Sequence, residues 1–413
     1  MAVGVPPVGV GRDRWAMFSA LHYQNYRFYW FGQFPSVLAQ NMQFVAVSWL
    51  VLQLTNSPAM LGVAGLVQTI PNVALSFLGG AVADRSDRKR LLILTQAITA
   101  ALYFSVGTLV VTGLVEVWHV LVVGFFLGCV RAFDQPTRQG LLPLLVPTEE
   151  IPNAVPLGNL VWQGTRLVGP AIAGMLIYLI GIGQTYYVAC GGFVIAMLLF
   201  SQLHPDVDPP KEGNSSILRD IVDGMNFIRT NDIVFALLGL TFFDSVFGMS
   251  YQILLPIFAR DILDVGSQGF GFLQTSAGVG ALLGTFIVAA TSHSGRRGWQ
   301  ALIGAGAFGL LIVAFTASGS YILSLGIMLL MGMSNQTYMT TVNTALQMNL
   351  PNAFRGRVMG IWGLTYSLQP LGGTIAGTMA EYVGVPIALA VGGALVTLMA
   401  VTAAVRLPRV RNL

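Results

Sequence analysis

The feature that most constrains this chain is a succession of about twelve apolar runs, each near the roughly 20 residues that a helix needs to cross a bilayer. Six runs fall in the first half of the chain, at 28–54, 59–82, 91–112, 117–141, 154–180 and 184–203. Six more follow at 232–258, 268–291, 299–317, 321–346, 358–380 and 384–405. Only 9% of the residues are charged, too few to cover the surface of a soluble domain. The sequence therefore predicts an all-α membrane protein with twelve transmembrane helices.

The longest polar stretch, residues 204–231, separates the two sets of runs. Prolines open this stretch, and apolar residues recur at helical intervals between 217 and 228. We expect a cytoplasmic linker that contains a short helix lying at the membrane surface. The linker divides the chain into an N-terminal six-helix bundle over 1–203 and a C-terminal six-helix bundle over 232–413.

Basic residues are distributed unevenly between the two sides of the predicted bundle. If both termini lie on one side, the opposite loops receive Arg260 alone. The basic residues on the terminal side are Arg12, Arg14, Arg85, Arg88, Lys89, Arg90, Lys211, Arg219, Arg229, Arg296, Arg297, Arg355, Arg357, Arg406, Arg409 and Arg411. Because arginine and lysine are retained on the cytoplasmic side, this pattern predicts a multi-pass protein of the cell (inner) membrane with both termini cytoplasmic. The scattered net charge of +4 indicates no nucleic-acid partner.

The two halves of the sequence repeat weakly. GLVQT at 65–69 recurs as GFLQT at 271–275, and Gly128 recurs as Gly332. Both matches are separated by about 205 residues, which predicts two pseudo-symmetric bundles related by an axis along the membrane normal. In proteins built this way a ligand site lies between the halves, near the bilayer midplane.

The loop after the second apolar run reads GGAVADRSDRKR, at residues 79–90. It resembles the loop between helices 2 and 3 in the major facilitator superfamily, although Asp87 stands where that family usually has glycine. The matching positions are Gly80, Asp84, Arg85, Arg88 and Lys89. The resemblance implies a major facilitator fold in which this loop is a conformational latch. Adjacent helices would meet at the glycine without side-chain bulk, and the aspartate would pair with an arginine or a helix N-terminus. The alternative is a basic loop that only sets topology.

Two further segments narrow the resemblance. FDQPTRQGLLPLLVP, at 133–147, and TRLVGPAIAG, at 165–174, resemble the branch that contains bacterial enterobactin exporters and transmembrane secretion effectors. Within the second segment, Gly169, Pro170 and Gly174 resemble the helix-5 motif that is common in antiporters. The resemblance implies a secondary active transporter that performs efflux.

Four ionisable residues lie inside the predicted spans, namely Arg131, Asp134, Arg166 and Asp244. Each costs about 2.5–3.5 kcal/mol on insertion scales, so such groups usually face a cavity and have a role. Counting along helices 4 and 5 puts Asp134 and Arg166 at similar depth, which predicts a buried charge pair. Arg131, one turn from Asp134, either shares that carboxylate or attracts an anionic substrate.

Asp244 differs from the other three, because the only basic residue in its own helix is Arg260, at the far end. We expect a carboxylate that takes up and releases a proton, so the candidates for proton coupling are Asp244 and Asp134. Asp134 is the weaker candidate, since two arginines lie within its reach. The alternative for Asp244 is a hydrogen-bonded aspartate without a role in transport.

Polar and aromatic residues in the spans predict a cavity for small molecules. The predicted lining residues are Gln68, Trp162, Gln163, Phe243, Gln274, Asn335, Tyr338, Asn343 and Tyr366. Aromatic surface interleaved with amides suits an amphipathic ligand with a few hydrogen-bonding groups. For each single aromatic, ordinary packing between helices is the alternative.

Several classes of chemistry lack their motifs. The two lysines, Lys89 and Lys211, follow Arg88 and Pro210 rather than a glycine-rich phosphate loop. The four histidines are dispersed, which predicts no metal site, and no pairing of nucleophile and base is evident. We therefore expect a protein that is not an enzyme and has no cofactor.

The predicted function is proton-coupled export of amphipathic small molecules, such as drugs or siderophores, by alternating access. Its predicted partners are the substrate, protons and the lipid bilayer, and the protein is expected to be a monomer. Two alternatives remain open: a lipid or lysophospholipid flippase of the same superfamily, and a non-transporting membrane receptor or scaffold.

Overall fold

The computed structural model describes residues 16–205, 225–291 and 297–411, which form helices and no strands. In the first half the helices are α1 (Gln24–Thr55), α2 (Pro58–Arg85), α3 (Arg88–Val111), α4 (Val117–Leu141), α5 (Ile151–Ile180) and α6 (Ile182–Ser201). Most of the predicted interfacial helix in 204–231 lies outside the described residues, as do five of the basic residues used to predict orientation.

The second half begins with α7, which runs over Asp232–Ile262 and contains two π-helical stretches, Asp244–Gly248 and Phe258–Ile262. It continues with α8 (Gly266–Ala290), α9 (Arg297–Thr316), α10 (Tyr321–Asn349), α11a (Asn352–Tyr366), α11b (Gln369–Val383) and α12 (Val385–Arg406). The predicted all-α class is confirmed, and the helices follow the twelve predicted spans closely.

Ten of the described helices are long and apolar enough to cross a membrane. The tenth and eleventh predicted spans are the exceptions. A consecutive polar run at 334–337 interrupts the apolar sequence of α10. The eleventh span is divided into α11a and α11b at Ser367 and Leu368. Pro370 favours this break because it has no N–H to donate to the carbonyl of Tyr366.

In each half, a glycine allows the second and fourth helices to pack closely. A Cβ atom at Gly128 of α4 would collide with the Gln68 carbonyl of α2. A Cβ atom at Gly332 of α10 would collide with the Ala277 carbonyl of α8. Gly128 and Gly332 are the repeated pair found in the sequence, so the repeat corresponds to equivalent close contacts between helix backbones.

The start of α1, the residues after α6 and the end of α12 lie at the same end of the bundle, which we call the termini end. Asn25, at the start of α1, exchanges two hydrogen bonds of 2.8 and 3.0 Å with the backbone of His204, where the linker begins. The backbone of Gly298, at the start of α9, packs closely against Val410 and Arg411 near the C-terminus.

The two halves contact each other at the opposite end, which we call the far end. Gly62 of α2 packs against the backbone of Gly373 and Thr374 in α11b. Ser57 donates a hydrogen bond to Glu381, and Arg260 of α7 donates one of 2.7 Å to Asn56.

At the termini end, glycine faces of the two halves are open. No described atom outside the local helix backbone lies within 4 Å of a Cβ built at Gly80 of α2, or at Gly356, Gly360 or Gly363 of α11a. The described contacts between the two halves therefore lie toward the far end, and these glycines of α2 and α11a face open space.

Candidate functional site

A cavity of about 390 Å³ lies between the two halves. Its walls come from α1, α2, α4 and α5 in the first half and from α7, α8, α10 and α11b in the second. The amide and guanidinium side chains in its wall are Gln40, Asn41, Gln43, Gln68, Arg131, Gln163, Arg166, Gln252, Gln274, Asn335, Gln336 and Gln369. Among the described residues that line it there is no aspartate or glutamate. The volume is within the range of small-molecule sites.

Four of the predicted lining residues lie in the cavity wall: Gln68, Gln163, Gln274 and Asn335. The remaining five do not line it: Trp162, Phe243, Tyr338, Asn343 and Tyr366. For these five residues, the structure corrects the predicted position in the wall.

Packing between helices explains the displaced aromatic residues. Tyr338 is fully buried, its hydroxyl is 3.4 Å from that of Thr241, and its Cβ lies against Gly304 of α9. The Tyr366 ring packs edge-on against Trp362 in α11a. These tyrosines therefore fill the interior of the second half, which is the alternative that the sequence left open.

Asp244 lies where α7 changes from α-helical to π-helical geometry, a change that often occurs at functional sites. Its side chain is buried, and Asn335 Nδ2 is 3.3 and 3.4 Å from its two carboxylate oxygens. Among the described residues, no cationic side chain forms an ion pair with it. Because Asn335 also lines the cavity, it connects the buried carboxylate to the cavity wall.

Asp134 has strong partners, but they are not the predicted ones. Arg138 Nε, one turn along α4, is 2.7 Å from Asp134 Oδ2. Thr95 and Gln96 of α3 donate hydrogen bonds of 2.8 and 2.7 Å to Oδ1. Arg138 also donates a 2.8 Å hydrogen bond to Ser36 of α1. The buried pair thus joins three helices within the first half.

The predicted charge pair between Asp134 and Arg166, with Arg131 as a second partner, is therefore wrong. Asp134 is buried on the face of α4 that contacts α1 and α3, whereas Arg131 and Arg166 are exposed to the cavity. Residue counts along two helices give the depth of a side chain but not the direction in which it points. In the described part of the chain, neither Arg131 nor Arg166 forms an ion pair or side-chain hydrogen bond.

The predicted latch loop is held within the first half. Arg88 donates hydrogen bonds to Asp84 at 3.0 Å, to the Gly140 carbonyl at 2.9 Å and to the Ala83 carbonyl at 3.3 Å. This connects the α2–α3 loop to the end of α4. Arg85 is exposed and Lys89 is half-buried.

Two details of this loop differ from the sequence interpretation. The glycine at which adjacent helices meet is Gly79, whose Cβ would collide with the Ala132 carbonyl, rather than Gly80. Asp87, which departs from the family pattern, accepts a 3.1 Å hydrogen bond from the Arg90 backbone and caps α3.

The helix-5 motif lies at contacts between helices. Gly169 packs against Asn41 of α1, with 2.8 Å between a built Cβ and that of Asn41. Gly174 packs against the backbone of Ser267 in α8, and the Pro170 carbonyl packs against Gly271. Gly174 and Gly271 thus allow close contact between the two halves toward the far end.

Comparison with known proteins identifies the family. The sequence profile of the family described as transmembrane secretion effector matches residues 15–413. The chain belongs to this family. The predicted membership in the major facilitator superfamily, and in this branch of it, is thereby confirmed. Members of this family are membrane transporters, so the protein is a multi-pass transporter and not an enzyme.

Two bacterial relatives align with most of the chain. The staphyloferrin A transporter of Staphylococcus aureus is 24% identical over 357 residues, covering 83% of this chain and 86% of the relative. Macrolide efflux protein A of Streptococcus pyogenes is 25% identical over 381 residues, covering 90% and 93%.

A solved structure supports the fold. The inward-facing, unoccupied structure of a bacterial homologue of the human lysosomal transporter Spinster aligns with a TM-score of 0.70 at 14% identity. The alignment covers 95% of this chain and 96% of the other. It shows a shared architecture, the major facilitator fold predicted from the sequence.

Proposed function

We propose that this protein exports small molecules from the cytoplasm by alternating access, with uptake of protons as the driving force. The observation that carries the proposal is the cavity between the halves, with close contacts between the halves at the far end and open glycine faces toward the termini end. A substrate would enter from the termini end and leave after the far-end contacts separate. The names of the staphyloferrin A transporter and macrolide efflux protein A support a small-molecule substrate.

Proton coupling is assigned to Asp244. Its carboxylate is buried, has a neutral amide partner and is next to the cavity wall at Asn335. Asp134 is ion-paired with Arg138 and accepts two further hydrogen bonds, so a proton would have to displace existing partners. Asp134 accordingly has a structural role in this proposal.

The amide-rich wall favours a polar small molecule over a lipid. Eight glutamines and two asparagines line the cavity. Amide groups that face an acyl chain would lose hydrogen bonds to water without replacement, at a cost in free energy. Export of small molecules is therefore preferred to the flippase alternative.

The proposed transport is tested with purified protein in liposomes that contain a pH-sensitive dye. Erythromycin and staphyloferrin A, added separately, test the classes named by the relatives. Movement of protons upon addition of at least one of the two compounds, absent from protein-free liposomes, is expected. Binding of a compound without any proton movement would contradict coupled transport.

The proposed orientation predicts a labelling pattern. In a background lacking Cys129 and Cys190, a cysteine at Ser86 should react only from the cytoplasm and one at Thr55 only from outside. Ser86 follows α2 at the termini end, and Thr55 ends α1 at the far end. The measurement is modification of intact cells by a membrane-impermeant maleimide, with lysed cells as the control. Labelling of both positions from the same side would contradict the orientation.

The latch proposal predicts a kinetic effect for Asp84→Asn. The substitution removes the counter-charge that holds Arg88 across the α2–α3 loop, so we expect turnover to fall several-fold. Stability should change little, since an exposed ion pair contributes about 0–1 kcal/mol. The measurements are transport rate and thermal midpoint.

Asp87→Asn is the matched control for the latch variant. Asparagine also caps helices, and Asp87 lies in the same loop, so this variant should keep normal turnover. Equal transport rates for both variants and the native protein would contradict a conformational role for Asp84.

A further inference from the structure

We propose that the cavity selects organic anions rich in oxygen atoms, and that Arg131 and Arg166 bind their negative groups. This inference rests on the proposed function, because it names the substrate class of the same cavity. It also changes the ligand class predicted from the sequence. That prediction placed aromatic residues in the wall and favoured amphipathic ligands.

The first argument is the sign of the charge in the cavity. The charged side chains that line it are Arg131 from α4 and Arg166 from α5, both in the first half, and its described lining contains no carboxylate. Asp244 is buried behind Asn335 rather than in the wall. Asp134 lines a small side pocket beside Arg131, but its charge is paired with Arg138. A ligand in the cavity therefore meets a positive field, which attracts anions and repels cations.

The second argument is that these two arginines lack the partners that other arginines have. Arg138 pairs with Asp134 at 2.7 Å, and Arg88 pairs with Asp84 at 3.0 Å. Within the described ranges, Arg131 and Arg166 have neither an ion pair nor a side-chain hydrogen bond. A guanidinium at membrane depth is costly to keep without a partner. Its planar N–H donors can form two parallel hydrogen bonds to the oxygens of one carboxylate or phosphate group.

The third argument is the amide shell around the arginines. Gln40, Gln43 and Gln68 line both the main cavity and a small side pocket that includes Arg131 and Asp134. Gln163 is on α5 with Arg166, one turn away. Each amide offers both donors and an acceptor. Such a wall fits hydroxyl, carbonyl and carboxylate groups spread over the ligand better than an extended hydrocarbon surface.

The test uses four six-carbon open-chain probes that differ in charge: glucarate with two carboxylates, gluconate with one, neutral glucitol and cationic glucamine. Binding to the full-length protein is measured by calorimetry in nanodiscs of uncharged lipid. We expect glucarate to bind more tightly than gluconate, and both more tightly than glucitol and glucamine. Equal binding of the four, or binding of none, would overturn the assignment.

Variants identify the two arginines as the source of that order. Arg131→Gln and Arg166→Gln should each weaken glucarate binding at least tenfold, because a neutral amide replaces the positive charge. The matched control is Arg27→Gln, an exposed arginine of α1 outside the cavity, which should bind normally. Arg166→Lys keeps the charge and should retain part of the affinity. Unchanged glucarate affinity in both cavity variants would contradict the proposal.

Failure of the inference and failure of the proposed function have different readouts. Binding is measured without a pH gradient, so it does not depend on coupling. An ordered preference for anions with no proton-linked transport would remove the transport mechanism and leave the anion site. Proton-linked transport with no charge preference in binding would remove the anion site and leave the transport mechanism.

Discussion

Asp244→Asn is expected to abolish accumulation of substrate against its gradient and to leave substrate binding within about threefold of normal. The substitution keeps the shape of the side chain and its contact with Asn335, but it removes the group that accepts a proton. Without a proton to carry, the protein can still exchange substrate across the membrane but cannot use the pH gradient. A potential of 100 mV supplies about 2.3 kcal/mol per charge moved, which is lost when coupling is lost.

The measurement compares uphill transport, driven by an imposed pH gradient, with substrate exchange at equal pH. Asp264→Asn is the matched control, because Asp264 is exposed just after α7 and has a φ of 50°, which asparagine adopts readily. The control should retain uphill transport. Normal accumulation by Asp244→Asn would remove Asp244 from the coupling mechanism.

Asp134→Asn is expected to damage folding rather than coupling. It leaves Arg138, which is 4% exposed, as a buried cation without its counter-ion. Removal of one partner of a buried ion pair costs about 3–5 kcal/mol. We expect a lower thermal midpoint and a reduced yield of monodisperse protein, measured by scanning fluorimetry and gel filtration.

A double variant separates the lost charge pair from other effects of the substitution. Asp134→Asn combined with Arg138→Gln removes both charges and should recover part of the lost stability. If Asp134→Asn folds normally and loses only coupling, the roles assigned to the two aspartates are exchanged.

The number and approximate bounds of the helices could be predicted because each span must be apolar over the thickness of the bilayer. The repeat of Gly128 as Gly332 was also visible in the sequence, whereas the close backbone contacts at these glycines are shown by the structure. The internal geometry of the spans could not be predicted from the sequence. The π-helical stretch at Asp244 and the break before Gln369 depend on packing between helices, which leaves no periodic pattern in the sequence.

The directions of side chains were the main source of error in the candidate site. A membrane helix is apolar on its lipid face and on its packed face, so no amphipathic pattern separates the two. Tyr338 and Asn335 are three residues apart on α10, yet only Asn335 reaches the cavity. Arg138 was overlooked although its i, i+4 spacing from Asp134 is that of a helical ion pair.

Several glutamines in the cavity wall were also missed. Gln40 and Gln43 are close together in the first span, and Gln252, Gln336 and Gln369 each interrupt or border an apolar segment. Amides within spans are a usable signal, because they are costly in lipid unless they meet a partner, a cavity or water.

The most direct test of alternating access is a reversible lock between the halves, where α2 meets α11b at the cavity wall. A built Cβ at Gly65 of α2 is 3.1 Å from the Cβ of Pro370 in α11b, near the roughly 3.5–4.5 Å of a disulfide. In a background without Cys129 and Cys190, the Gly65→Cys/Pro370→Cys variant can be oxidised and reduced in liposomes, with each single variant as control. The account predicts that proton-linked transport falls to the protein-free background on oxidation and returns on reduction. Unchanged transport by fully cross-linked protein would contradict it.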